Sequence, residues 1–86
     1  MNNNSRCIRI DVTTTNDSFV VPSFARYMVI KNAGSIGMQF NFEVDDNDQF
    51  YSLSSGEVSP IMGVLGGDIV NIVGLGDTTL EALVWL

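Results

Sequence analysis

The densest cluster of groups able to do chemistry is Asp45-Asp46-Asn47-Asp48, three carboxylates within four residues. Carboxylate oxygens are the ligands Ca²⁺ prefers, but loops that hold it place them at alternate residues around a glycine bend and add a distal bidentate Glu. Neither feature is present, so the stretch reads as a solvated turn between strands, and no metal is expected. Cys7 is the single thiol, and with no His in the sequence nothing of that kind is at hand to take its proton. It reads as a small strand residue rather than a nucleophile. The same counts exclude an internal disulfide and an ordinary zinc site. Gly63, Gly66, Gly67, Gly74 and Gly76 are numerous enough to suggest a phosphate cradle. They form neither G-x-G-x-x-G nor G-x-x-x-x-G-K-[ST], and no helical pattern follows them, so they read as turn glycines. Tyr51 and Trp85 could stack on a sugar ring, or could fill a core beside Phe40, Phe42 and Phe50. No catalytic residue and no cofactor site emerges, and a non-enzyme is expected.

Whatever these residues do must be done by one small domain. At 86 residues the chain buries only about 60% of its unfolded surface, and roughly 4 to 13 kcal/mol of stability is the expectation for this length. With disulfides and zinc excluded, association with other subunits is the remaining supplement, so a homo-oligomer is expected. Ten Asp plus Glu against four Lys plus Arg leave a net charge of -6. Arg6, Arg9, Arg26 and Lys31 are too few for a phosphate-tracking stripe, which argues against nucleic acid as a partner. No apolar run approaches the ~20 residues of a membrane span, and the opening Met1-Asn2-Asn3-Asn4-Ser5 lacks the features of a signal peptide. The expectation is a soluble protein made inside a cell.

Taken in order, residues 1–5 read as a flexible polar arm and residues 6–86 as a single domain. Ile8, Ile10 and Val12 alternate with Arg9, Asp11 and Thr13, as a half-buried strand requires. A second short strand, residues 18–21, is closed by Pro22. Residues 27–31 are apolar on both faces and end in turn residues 32–37. Met38, Phe40, Phe42 and Val44 alternate with Gln39, Asn41 and Glu43, and are expected to form the core. Residues 50–53 and 57–62 follow, the second interrupted by Pro60 and so placed at an edge. Residues 69–73 and 79–85 read as a hairpin joined by Gly74-Leu75-Gly76-Asp77, whose glycines can take positive φ. Alternation puts Leu80, Ala82 and Val84 on one face of the last strand and Leu83 and Trp85 on the other. Because both faces are apolar near the end, Leu83, Trp85 and Leu86 are the candidate oligomer interface. Seven or eight strands without helical periodicity predict an all-β fold, a single small antiparallel β-sandwich or jelly roll.

One resemblance spans residues 19–86. The phrases Arg26-Tyr27-Met28-Val29-Ile30-Lys31-Asn32, Met38-Gln39-Phe40-Asn41-Phe42-Glu43-Val44, Phe50-Tyr51-Ser52-Leu53-Ser54-Ser55-Gly56-Glu57 and Gly76-Asp77-Thr78-Thr79-Leu80 through Trp85 resemble small β-sandwich virion proteins of tailed bacteriophages. The similarity is to their capsid decoration, or cement, proteins and head-fibre base domains. It implies a structural role: oligomers, often trimers, bound to the major capsid protein on the outside of the head after synthesis in the host cytoplasm. The other reading left open by the residues is a small non-catalytic carbohydrate- or peptide-binding sandwich using Tyr51, Trp85 and the acidic turn.

Overall fold

The computed structural model describes residues 5–45 and 50–86. Eight strands run in chain order: β1 (Ser5–Val12), β2 (Asp17–Val20), β3 (Tyr27–Asn32), β4 (Met38–Phe42), β5 (Tyr51–Leu53), β6 (Met62–Gly63), β7 (Ile69–Gly74) and β8 (Thr78–Trp85), with one 3-10 turn at Glu43–Asp45. No α-helix occurs among the described residues. The strands form two four-stranded sheets, sheet A in the order β1-β8-β3-β6 and sheet B in the order β2-β7-β4-β5. All pairings are antiparallel. Only β4 and β5 are consecutive strands that pair; every other connection passes from one sheet to the other. That is the connectivity of a jelly roll, within the all-β sandwich expected from the alternation.

Within sheet A, β8 pairs along its length on both sides, opposite β1 from Ser5↔Trp85 to Val12↔Thr78 and opposite β3 from Tyr27↔Trp85 to Asn32↔Leu80. Its inner residues Leu80, Ala82 and Val84 are fully buried and meet Met28, Ile30, Val70 and Ile72 in one core. Period-two alternation therefore carries the packing, with the inward residues of both sheets forming the layer between them.

Four expectations are corrected here. β7 and β8 do not form a hairpin: β7 pairs with β2 and β4 in sheet B, and β8 with β1 and β3 in sheet A. Their connection is a corner whose donors find partners elsewhere, the Gly74 N–H on the Thr13 carbonyl at 2.8 Å and the Leu75 N–H on the Gly37 carbonyl at 2.9 Å. The glycines at positive φ are Gly56 and Gly67, not Gly74 or Gly76. Val44 is not in the core. The ladder of β4 ends at Phe42↔Val70, the chain then winds into the 3-10 turn, and Val44 is left 76% exposed. Ser5, assigned to the arm, instead begins β1 opposite Trp85.

Pro60 does mark an edge. Residues 57–59 run beside β3 without forming a regular strand, the Ser59 N–H donating to the Ile30 carbonyl at 2.7 Å and the Ile30 N–H donating to Ser59 Oγ at 2.8 Å. A side-chain hydroxyl thus takes the place of a ladder carbonyl where the chain is about to reach a residue with no N–H.

Candidate functional site

The structure separates the residues that the sequence offered as a site. Asp46, Asn47 and Asp48 lie outside the described residues, and Asp45 closes the 3-10 turn. Tyr51 and Trp85 are in different sheets. Trp85 stacks on Tyr27 with centroids 5.9 Å apart on the outer side of sheet A, whereas Tyr51 lies 5.6 Å from the Phe40 ring at the edge of sheet B. Cys7 is exposed and opposite Leu83. Leu83 is 43% exposed on that same outer face, and Leu86 lies beyond the end of β8. Met38 and Phe40 are buried, and Phe42 is half-buried against them.

Two of the buried polar side chains, Asn32 and Thr78, form a knot at one end of the sandwich. Asn32 Nδ2 donates to the Ile36 carbonyl at 2.7 Å and the Leu53 carbonyl at 3.0 Å. Its Oδ1 accepts from Thr78 Oγ1 at 2.8 Å and from the Gly34 N–H at 3.2 Å. Both donors and both acceptor positions of the amide are used, the most an Asn side chain can satisfy. Gly34 is required for this: a Cβ there would collide with the Thr78 side chain and the Thr79 backbone. Among the described residues no buried side-chain nitrogen or oxygen lacks a partner. The knot holds the β3, β5 and β8 ends together and offers a ligand nothing.

Space is found on the flank where the edge strands β5 and β6 face each other. A cavity of about 420 Å³ is lined by Phe40, Phe42, Tyr51, Val58, Pro60 and Met62 along with Ser52, Leu53, Glu57 and Ser59. Its walls are rings and aliphatic groups: Phe40 meets Phe42 edge-on at 6.4 Å and Tyr51 at 5.6 Å. Two of the polar atoms at the rim are engaged within the fold. Glu57 Oε1 accepts from the Ser54 N–H at 2.8 Å, and Ser59 Oγ is held between the Ile30 N–H and the Pro60 carbonyl. Sequence reasoning missed Val58, Pro60 and Met62 as partners of Tyr51. The one signal available was Pro60, which placed this stretch at an edge without saying which edge it would face.

Comparison with known proteins gives a fold and no sequence relative. No protein-family model matches the chain, and no curated protein matches it. Among solved structures, EutQ of Clostridium difficile superposes with a TM-score of 0.62 at 10% identity, over 95% of this chain and 56% of that one. A cupin superfamily protein of Desulfitobacterium hafniense gives 0.64 at 13% identity over 100% of this chain and 71% of that one. HEPD of Streptomyces albus, solved with 2-hydroxyethylphosphonate and Fe(II) bound, gives 0.67 at 13% identity over 95% of this chain and 18% of that one. The chain therefore spans about half of EutQ and under a fifth of HEPD.

The donor set does not fit an iron centre like the one HEPD contains. The chain has no His, no group of three or more Cys, Asp or Glu is gathered among the described residues, and the space between the sheets is filled by apolar side chains. The neighbours also include an HTH_3 family transcriptional regulator from Vibrio cholerae at TM-score 0.65 and 10% identity. An enzyme and a regulator share this architecture, so the fold leaves catalysis undecided. The reading as a phage capsid decoration protein is overturned, since the matching structures are cupin-type proteins. It rested on an order of strand and turn phrases that a jelly roll of any function can carry, and the capsid partner, the trimer and the virion location came with it. What the chain is similar to is the cupin-type jelly roll, at the level of fold.

Proposed function

We propose that the chain is a non-catalytic binding module that takes a small, uncharged aromatic or alicyclic ring in the cavity between β5 and β6. The observation that carries this is the composition of the wall: three aromatic rings with Met62, Val58 and Pro60 enclose about 420 Å³. That volume falls within the ~300–1,000 Å³ usual for small-molecule sites.

Charge narrows the ligand class. No basic residue lines the cavity, Glu57 sits at its rim, and the whole chain carries -6. An anion such as the phosphonate bound by HEPD would meet repulsion and no counter-charge. A sugar would need several free hydrogen-bonding groups, whereas the Ser59 hydroxyl and one Glu57 oxygen are already committed. Ring stacking and apolar burial are what the walls supply.

Catalysis is not part of this reading. General acid–base or nucleophilic chemistry needs a proton acceptor within reach of a reacting group, and the rim offers one partly engaged carboxylate without a His beside it.

The proposal is tested by calorimetric titration with indole, glucose and inorganic phosphate in turn. Indole is expected to bind with millimolar or tighter affinity, and the other two are expected to give no heat beyond dilution. Phosphate or glucose binding in preference to indole would refute the assignment.

A further inference from the structure

Sheet A ends on one flank in β1, and the free side of that strand is the longest open edge among the described residues. β1 runs eight residues, against four in β2, three in β5 and two in β6, the other strands at sheet ends. The cavity lies where β5 and β6 face each other, so β1 and β2 lie on the opposite flank.

The phase of the hydrogen bonds decides which groups this edge presents. In an antiparallel strand the N–H and C=O of one residue point to the same side, and successive residues alternate. On β8 the Thr79 carbonyl accepts from the Ala33 N–H at 2.8 Å and the Trp85 carbonyl from the Arg26 N–H at 2.9 Å, so its odd-numbered residues bond toward β3. Leu80, Ala82 and Val84 therefore bond toward β1, where they stand opposite Ile10, Ile8 and Arg6. That leaves the N–H and C=O groups of Ser5, Cys7, Arg9 and Asp11 turned to the open side, where no strand among the described residues pairs with them. The row stops at Thr13, whose N–H donates to Asp17 Oδ2 at 3.0 Å and whose carbonyl accepts from the Gly74 N–H at 2.8 Å.

We propose that this edge binds an extended acidic peptide segment of another protein, added to sheet A antiparallel to β1. Donors and acceptors alternating along an extended backbone are matched in full by another extended backbone, with main-chain bonds giving affinity and alternate side chains giving selectivity. The side chains of β1 state that selectivity. Ile8 and Ile10 are half-buried against the core at this edge, so the residues opposite them must be apolar. Two arginines, Arg6 and Arg9, against the single Asp11 give β1 a charge of +1 in a chain of net charge -6. Arg6 is held over the Phe24 ring at 5.7 Å, on the inward side with Ile8. Arg9 has a side chain 69% exposed and meets Glu81 on the β8 side, which leaves its open side to a carboxylate of the incoming strand.

A second copy of β1 fits this edge less well. Inward residues must stand opposite inward residues, so a twofold pairing centres on one residue. Centred on Arg6, Arg9 or Asp11 it sets like charge on like, and centred on Cys7 or Ile8 it leaves both arginines without a carboxylate opposite. Centred on Ile10 it does set Arg9 against Asp11, but it runs Cys7 against Thr13, whose backbone groups are already bonded to Asp17 and Gly74. An independent strand escapes these conflicts.

Amide hydrogen exchange followed by NMR tests the proposal, with the capped peptide Thr-Ser-Val-Glu-Val-Thr-Glu as the probe. In the protein alone, the Ile8 and Ile10 amides should exchange slowly and those of Cys7, Arg9 and Asp11 fast. Peptide is expected to slow the second set, saturably and with submillimolar affinity, and the same peptide with Lys for both Glu should bind roughly tenfold more weakly or not at all. Cys7→Pro deletes one N–H of the open row at a place where an edge tolerates proline, and should weaken binding by roughly tenfold. Circular dichroism checks its fold; should it fail, Arg9→Gln carries the test, with a loss of several-fold expected. No slowing at Cys7, Arg9 and Asp11, equal binding of the Lys peptide, or indifference to both substitutions overturns the proposal. So does slowing of those amides with rising protein concentration and no peptide, which would make a second copy the occupant.

Discussion

The Asn32 knot and the Phe40 cavity belong to the same sandwich and are built in opposite ways. In the knot the buried side-chain polar atoms are all paired within the fold; in the cavity the walls present rings and methyl groups. Leu53 lines the cavity with its side chain and binds Asn32 through its carbonyl, so the two regions share a strand and little else. The difference teaches where to look in a jelly roll lacking His. Asn32 and Thr78 close one end of the fold, and the proposed binding region lies where the two sheets part.

The largest effect should come from the knot. Asn32→Leu strands the Thr78 hydroxyl, the Gly34 N–H and two carbonyls in a buried place, each at about 1–3 kcal/mol if it finds no new partner. A loss of about 3–4 kcal/mol in urea unfolding is expected, a large share of the total for a chain this size. A loss below about 1 kcal/mol would mean the knot is not structural. Next comes Phe40→Ala, which removes a ring 2% exposed from the boundary between core and cavity. It should cost about 3 kcal/mol, measured the same way, and should also impair ring binding, since Phe40 belongs to both regions. The smallest effect is expected at Val44. Val44→Ser at a site 76% exposed should change stability by less than about 0.5 kcal/mol, and a larger loss would put Val44 back in the core where alternation placed it.

Much of this fold was legible, because side-chain direction in a strand follows directly from spacing. The inner residues Ile8, Ile10 and Val12 of β1 and Leu80, Ala82 and Val84 of β8 were readable as faces before any partner was known. Partner choice was not. Residues 69–73 and 79–85 carry the same alternation whether they pair with each other or with strands of opposite sheets, and only the long-range satisfaction of Gly74 and Leu75 by Thr13 and Gly37 decides it. Val44 failed for a related reason: period two continued in the letters after the ladder had stopped at Phe42. The cavity was the least legible part. Tyr51 was readable as a ring that could stack, but Trp85 was offered as its partner, and Met62, which faces it across two sheet edges, carries no group that would have drawn notice.

The central claim is that the ring-walled flank binds ligand, and amide chemical-shift mapping tests it most directly. The parent and Tyr51→Ala would each be titrated with indole; Tyr51 is 62% exposed, so its truncation should cost little stability. The account predicts saturable shifts in the parent clustered at Tyr51, Val58 and Met62, reduced by roughly tenfold in affinity or lost in Tyr51→Ala. Shifts that cluster elsewhere, or that survive the substitution undiminished, would contradict it.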